Sequence, residues 1–152
     1  MPKLGIISDT HGRLPYAVFD AFADVDTIIH AGDICAESVL WELESIAKTI
    51  AVLGNCDRSD YGSSVRAECR PVIGGVRIWV AHFPEDVIAA ARSGAYELAI
   101  HGHTHVPRDE VIGSCRVLNP GSACRPRGGS KASVMTVEVA EGKVGPSRLI
   151  EL

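Results

Sequence analysis

Five short, β-rich apolar runs, at 4–7, 27–29, 49–53, 76–80 and 98–100, each give way abruptly to polar residues, most of them around a glycine. They run into Ser8-Asp9-Thr10-His11-Gly12, His30-Ala31-Gly32-Asp33, Gly54-Asn55-Cys56-Asp57, Ala81-His82 and His101-Gly102-His103-Thr104-His105. Short apolar runs bounded by turn chemistry read as buried strands. Every polar cluster therefore falls at the C-terminal end of a strand, where open α/β sheets hold their ligands. The chain must fold so that these ends can converge.

Between the early runs lie helical patterns. Val39, Leu40, Leu43, Ile46 and Ala47 recur at helical spacing, with Glu37, Glu42, Glu44 and Lys48 largely on the opposite face. Residues 15–22 read as a second helix, with Pro15 tolerated in its first turn. Residues 84–92 read as a third, alanine-rich and stopped by Ser93-Gly94. Strand–helix–strand alternation calls for parallel pairing with right-handed crossovers. The later chain changes character: 71–78 folds back at Gly74-Gly75, 111–118 at Gly113-Ser114, and 134–139 turns through 141–143. The expected fold is α/β, two packed mixed sheets in a sandwich flanked by helices, with residues 1–152 as a single domain. Residues 121–131, rich in Gly, Pro, Ser and Arg, read as a loop.

No apolar run approaches the roughly 18 residues of a membrane span, and the start shows no signal-peptide cleavage pattern. Five cysteines, at 35, 56, 69, 115 and 124, contain no CxxC pair, which fits reduced thiols and a cytoplasmic protein. A net charge of -4 argues against a nucleic-acid partner.

The polar clusters hold metal-ligand types: carboxylates at Asp9 and Asp33, a neutral oxygen at Asn55, and imidazoles at His11, His82, His103 and His105. A lone D-x-H or G-D arises by chance, and a single buried histidine is more often a hydrogen-bonded core residue. Three imidazoles within residues 101–105 are harder to satisfy that way, and the ordered set points to a metal site. His30 and His101, each before a glycine, are read as hydrogen-bond partners behind the ligands.

In that order, Asp9-x-His11, Gly32-Asp33, Gly54-Asn55-x-Asp57, His82 and Gly102-His103-x-His105 resemble the calcineurin-like metallophosphoesterase superfamily. The length, with Asn119-Pro120-Gly121-Ser122, is similar to its small YfcE-like phosphodiesterase branch. The resemblance implies one metal held by Asp9, His11, Asp33 and His105, and a second by Asp33, Asn55, His82 and His103. It implies a metal-dependent phosphoric ester hydrolase, a phosphodiesterase that cleaves a small phosphodiester by a hydroxide bridging two divalent ions. Asp33, Asn55, Cys56 and His103 are the expected catalytic residues. A mixed oxygen–nitrogen shell disfavours calcium and suits Mn2+ foremost, with Fe, Ni, Co or Zn as alternatives. Two such ions outweigh Asp9, Asp33 and the hydroxide by one positive charge, so an anionic phosphate is drawn in despite the acidic chain. Many small members of the family form dimers or tetramers, so the resemblance admits a homo-oligomer and leaves the oligomeric state open.

Two positions depart from the family pattern. Many members place histidine after the asparagine as proton donor to the leaving group, where this chain has Cys56, as the small branch often does. A thiol with a pKa near 8.5 is a poor acid toward an alkoxide, which favours substrates with good leaving groups. His82 precedes Phe83-Pro84 where glycine is usual. Arg13, Arg58, Arg125 and Arg127 are candidates for the rim, and loops 57–64, 83–87 and 121–131 for specificity. The alternatives are a non-catalytic interaction scaffold, like the retromer subunit that resembles this family, a phosphomonoesterase, or a nuclease. A nuclease would need a basic groove where this chain offers scattered arginines.

Overall fold

Alternation along β1 (Lys3–Ile7) sets the layers: Leu4 and Ile6 face one hydrophobic cluster, and Ile7 faces another. The computed structural model describes residues 2–58 and 61–152. After β1 come α1 (Ala17–Ala21), β2 (Thr27–His30), α2 (Glu37–Glu44), β3 (Lys48–Ala51), β4 (Glu68–Cys69), β5 (Val72–Ile73) and β6 (Val76–Ala81). Then follow α3 (Pro84–Arg92), β7 (Leu98–Ile100), β8 (Arg108–Ile112), β9 (Cys115–Asn119), β10 (Ser133–Ala140) and β11 (Lys143–Glu151).

Two mixed sheets result, as the alternation of patterns requires. The first has the order β11-β10-β1-β2-β3, with β1, β2 and β3 parallel. The second has the order β4-β6-β7-β9-β8, with β6, β7 and β9 parallel and β5 hairpinned onto β6 at Gly74-Gly75. The cluster between them contains Leu4, Ile6 and Ile29 from the first sheet and Ile78, Val80 and Ile100 from the second. On its outer face the first sheet packs Ile7 and Ile28 against Val18, Phe22, Val39 and Leu43 of the α1 and α2 segments. The second packs Ala81, Ala99 and Val117 against Val87 and Ala91 of α3. Pro84 opens α3, Glu85 and Asp86 lie in its first turn and Arg92 in its last, matching the helix dipole at both ends.

Three details differ from the sequence reading. The first helix begins at Ala17 and not at residue 15, because Pro15 and Tyr16 accept three-residue turn bonds from Val18 and Phe19 at 3.1 Å each. β3 ends at Ala51, and Val52 makes an isolated parallel bridge to Arg66. β11 extends the first sheet as an edge strand that tolerates Pro146, beside a register shift between Val137 and Val139. No helix among the described residues is long and apolar enough to cross a membrane.

Candidate metal centre

The ends of β1, β2, β3, β6 and β7 meet at one place, so the two sheets face each other across a shared cluster of side chains. Close approach depends on residues without a Cβ. A Cβ at Gly54 would collide with the Asp33 carboxylate, and one at Gly102 with Ser8 Oγ and, at 2.7 Å, Asp9 Oδ2. The local backbone is unusual. Seven non-glycine residues have left-handed φ among those described, and six belong to three of these loops in i, i+2 pairs: Asp9 and His11, Asp33 and Cys35, His103 and His105. Such conformations cost of order 1–3 kcal/mol each and concentrate at functional sites.

The ligand atoms of Asp9, His11, Asp33 and His105 all lie within 4.8 Å of one another. Asp9 Oδ1 is buried and has no hydrogen-bond partner. It lies 3.2 Å from His105 Nε2, 3.8 Å from His82 Nε2 and 3.9 Å from His11 Nε2. Asp33 Oδ2 lies 3.5 Å from His82 Nε2 and 3.6 Å from His11 Nε2. Tautomers are fixed from behind: His82 Nδ1 donates to the Ala31 carbonyl at 2.7 Å, and His105 Nδ1 to the Arg125 carbonyl at 2.6 Å. In a neutral imidazole so held, Nε2 turns a lone pair inward. Acceptors facing one another without donors are an arrangement that a cation satisfies, and oxygen with imidazole nitrogen suits a divalent transition metal.

His82 adjoins this group through Asp33, and Asn55 and His103 adjoin His82 in turn. Asn55 Oδ1 lies 3.0 Å from His82 Nε2 and 3.2 Å from His103 Nδ1. His82 is buried, His103 half-buried, and Asn55 and Cys56 are exposed at the mouth. All eight residues singled out in the sequence are thus brought to one region. A cleft of about 430 Å³ beside them is lined by Cys35, Ala36, Glu37, Cys56, Arg58 and Tyr61. Of the four arginines, Arg58 lines this cleft and the charge of Arg125 acts on His11, while Arg13 and Arg127 are exposed. Ser59 and Asp60 of the 57–64 loop lie outside the described residues.

Supporting residues went unassigned in the sequence. Asp57 accepts from the backbone N–H groups of Ile34, Cys35 and Gly54 at 3.2, 2.8 and 2.8 Å, and from Tyr61 Oη at 3.0 Å. One carboxylate thereby ties the loop after β2 to the loop after β3. Ser122 Oγ donates to the Asp9 carbonyl at 2.7 Å, and Asn119 Nδ2 to Thr104 Oγ1 at 3.0 Å. Their signal was present as Gly54-Asn55-x-Asp57 and Asn119-Pro120-Gly121-Ser122. His30 and His101 do sit behind the cluster: His30 meets Thr10 Oγ1 at 3.0 Å, and His101 Nδ1 donates to the Gly102 carbonyl at 2.9 Å.

The electrostatics follow the geometry. Burial works against ionisation of Asp33, but His82 and the Cys56 N–H hold its carboxyl well below the usual range. Burial likewise opposes protonation of His82, and Asp33, the Ala31 carbonyl and Asp9 outweigh it, so its pKa is raised. Burial lowers His11 more than Asp33 raises it. Burial takes His30 and His101 down to about 4. Burial, then Asp57 and Asp33, pushes the Cys35 thiol up to about 12, and burial followed by Asp33 raises Cys56.

Residues 2–142 match the family described as the calcineurin-like phosphoesterase superfamily domain. A probable metallophosphoesterase of Methanothermobacter thermautotrophicus is 38% identical over 136 residues, spanning 82% of this chain and 78% of the relative. The phosphodiesterase YfcE of Escherichia coli K12 is 30% identical over 161 residues, spanning 88% and 85%. Among solved structures, a novel archaeal phosphodiesterase superimposes with a TM-score of 0.82 at 28% identity, covering 99% of both chains. Vacuolar protein sorting 29 of Cryptosporidium parvum gives 0.77 at 18% identity over 99% and 98%, a likeness of fold.

Proposed function

The chain belongs to the calcineurin-like phosphoesterase superfamily, and from that premise we propose that residues 1–152 act as one catalytic domain, a dimetal phosphodiesterase of a small phosphodiester. The observation that carries this reading is Asp9 Oδ1, a buried carboxylate oxygen with no donor, 3.2 Å from His105 Nε2, whose Nδ1–H is engaged by the Arg125 carbonyl. Asp9, His11, Asp33 and His105 would hold one divalent ion, and Asp33, Asn55, His82 and His103 the other, with Mn2+ foremost and Fe, Ni, Co or Zn as alternatives. When bound, two such ions supply Lewis-acid stabilisation of phosphoryl oxygens and a nucleophile from water near neutral pH.

The chain's own residues do the rest. Ala31 and Arg125 carbonyls aim His82 and His105, and Asp57 fixes the loops that present Asp33 and Asn55. Arg58, in the cleft beside Cys56, is placed to meet a non-bridging phosphate oxygen. By the family resemblance Cys56 would stand beside the leaving group, and burial and Asp33 raise its thiol, which makes it a weak proton donor. A diester or anhydride with a good leaving group is therefore favoured over an unactivated alkoxide. The sequence offers only scattered arginines where a nucleic acid would call for a basic groove. Reduced thiols suit the cytoplasm.

The test is reconstitution with Mn2+ and a screen of phosphate esters, with Asp33→Asn as the inactive control. Two bound ions per chain and turnover of an aryl phosphodiester, abolished by Asp33→Asn, are expected. Stoichiometric metal with no turnover on any phosphate ester would replace the enzyme with an interaction scaffold.

A further inference from the structure

Five of the six left-handed residues in the site loops belong to the proposed ligand set. The sixth, Cys35, does not, yet it repeats the spacing: Asp33-x-Cys35 stands beside Asp9-x-His11 and His103-x-His105. A branched-off side chain in this conformation is disfavoured unless the surroundings impose it. Its sulfur lies 3.8 Å from His11 Nδ1, the ring nitrogen turned away from Asp9 and Asp33. Cys35 Sγ, Cys56 Sγ and a His11 ring nitrogen all lie within 4.8 Å of one another. Cys56 is exposed, Cys35 is half-buried, and both open onto the same cleft. Their backbones are cross-pinned: Cys35 N–H donates to Asp57 Oδ1 at 2.8 Å, and Cys56 N–H to Asp33 Oδ1 at 2.9 Å. The two sulfurs thus lie within 4.8 Å of each other, against about 2 Å in a disulfide. The other three cysteines have their own surroundings, Cys124 on the Arg13 carbonyl, Cys115 on that of Arg116 and Cys69 against the core between the sheets.

We infer that Cys35 and Cys56 form a redox-active dithiol at the mouth of the metal centre, oxidised to a disulfide by exchange with a small disulfide such as glutathione disulfide. The sulfur of exposed Cys56 attacks the small disulfide, breaking its S–S bond and releasing one small thiol. The Cys35 sulfur then attacks Cys56 Sγ, forming the intrachain S–S bond and releasing the second. Two electrons pass to the small disulfide, and the two thiol protons end on the released thiols. Oxidation also commits to Cys56 the sulfur that stands behind His11. Loss of such an outer partner typically weakens metal affinity by about tenfold or more.

The experiment takes the full chain loaded with Mn2+ through glutathione buffers of rising oxidised share, with cysteine peptides mapped by mass spectrometry. A Cys35–Cys56 linked peptide is expected to appear as two of the five thiols disappear, and to vanish on reduction. Cys35→Ser should leave Cys56 trapped as a mixed disulfide with glutathione, and Cys56→Ser should leave Cys35 a thiol. Mn2+ affinity, read by titration calorimetry, should fall about tenfold on oxidation and recover with reductant. A wild-type chain that stops at the Cys56 mixed disulfide, or joins Cys35 to another cysteine, would overturn the dithiol. A linked peptide with unchanged Mn2+ affinity would overturn its control of the metal. Only this affinity arm rests on the proposed metal site; if the reduced chain binds no Mn2+, that site falls and the peptide map still decides the dithiol.

Discussion

Substituting Asp9→Asn should make the metal-free protein more stable while removing its response to metal. Asp9 Oδ2 accepts from Ser8 Oγ at 2.7 Å and the His103 N–H at 3.1 Å, bonds that an amide oxygen can keep. Asp9 Oδ1 accepts from nothing, and an amide nitrogen in its place would lie 3.2 Å from His105 Nε2, whose lone pair is turned toward it. The variant thus fills an unmet acceptor with a donor. Relieving one unsatisfied buried polar group is worth about 2 kcal/mol, which for a chain of this size raises Tm in chelator by about 4–8 °C. Wild type at a hundredfold excess of Mn2+ over Kd should gain about 2.7 kcal/mol, a shift of about 5–11 °C, and the variant less than half of that. Differential scanning fluorimetry with EDTA and with Mn2+ reads both. If Asp9 instead held protonated imidazoles as plain ion pairs, Asp9→Asn would destabilise the chelated protein by about 3–5 kcal/mol. A fall in Tm in EDTA, or a full Mn2+ shift in the variant, would refute the reasoning.

His30 gives a pH prediction of definite sign. Its folded pKa, about 4, lies below the ordinary 6.5, so between those values the unfolded chain binds a proton that the folded one refuses. Stability is complete above pH 6.5 and drains as pH falls toward 4, by about 3 kcal/mol at most for this fully buried ring. Urea unfolding in chelator at pH 7 and pH 5 checks this; a His30→Gln variant whose stability falls just as steeply would remove His30 as the cause. Cys56→Ala should cost far less than the roughly 100-fold or more that a general acid contributes, on activated and unactivated diesters alike. A large loss confined to the poor leaving group, in steady-state kinetics, would make the thiol the acid.

The parallel strands and their polar ends were legible because short apolar runs bounded by Asp, Asn, His and Gly leave few other places for the chain to go. α2 and α3 declared themselves by periodicity and by Pro84 and Ser93-Gly94. The turn into β11 was legible at 141–143 but its length was not, because it is an exposed edge in which Gly145 and Pro146 interrupt any alternation. β4, with two residues, is too short to carry a pattern at all. In the site, residue type together with position after each run picked out the carboxylates and imidazoles, and the family resemblance sorted them into ligand sets. Asp57 stood in the Gly54-Asn55-x-Asp57 motif without a role, since that role lies in backbone bonds across 22 and 23 positions of sequence. Cys35 had a signal in its i, i+2 spacing, but thiols outside a CxxC pair draw no attention in a chain read as reduced.

The left-handed backbone at Asp9, His11, Asp33, His103 and His105 sets selection for robustness against selection for chemistry. At each of these positions glycine would relieve the backbone by roughly 1–2 kcal/mol, while at Asp9 and Asp33 it would also strip the acceptor from Ser8 Oγ and from the His103 and Cys56 N–H groups. Where the side chain makes the fewest bonds of its own, a directed-evolution screen that rewards only thermal survival would drift toward glycine and empty the site. Any stabilised version of this protein has to be chosen with those five positions held constant.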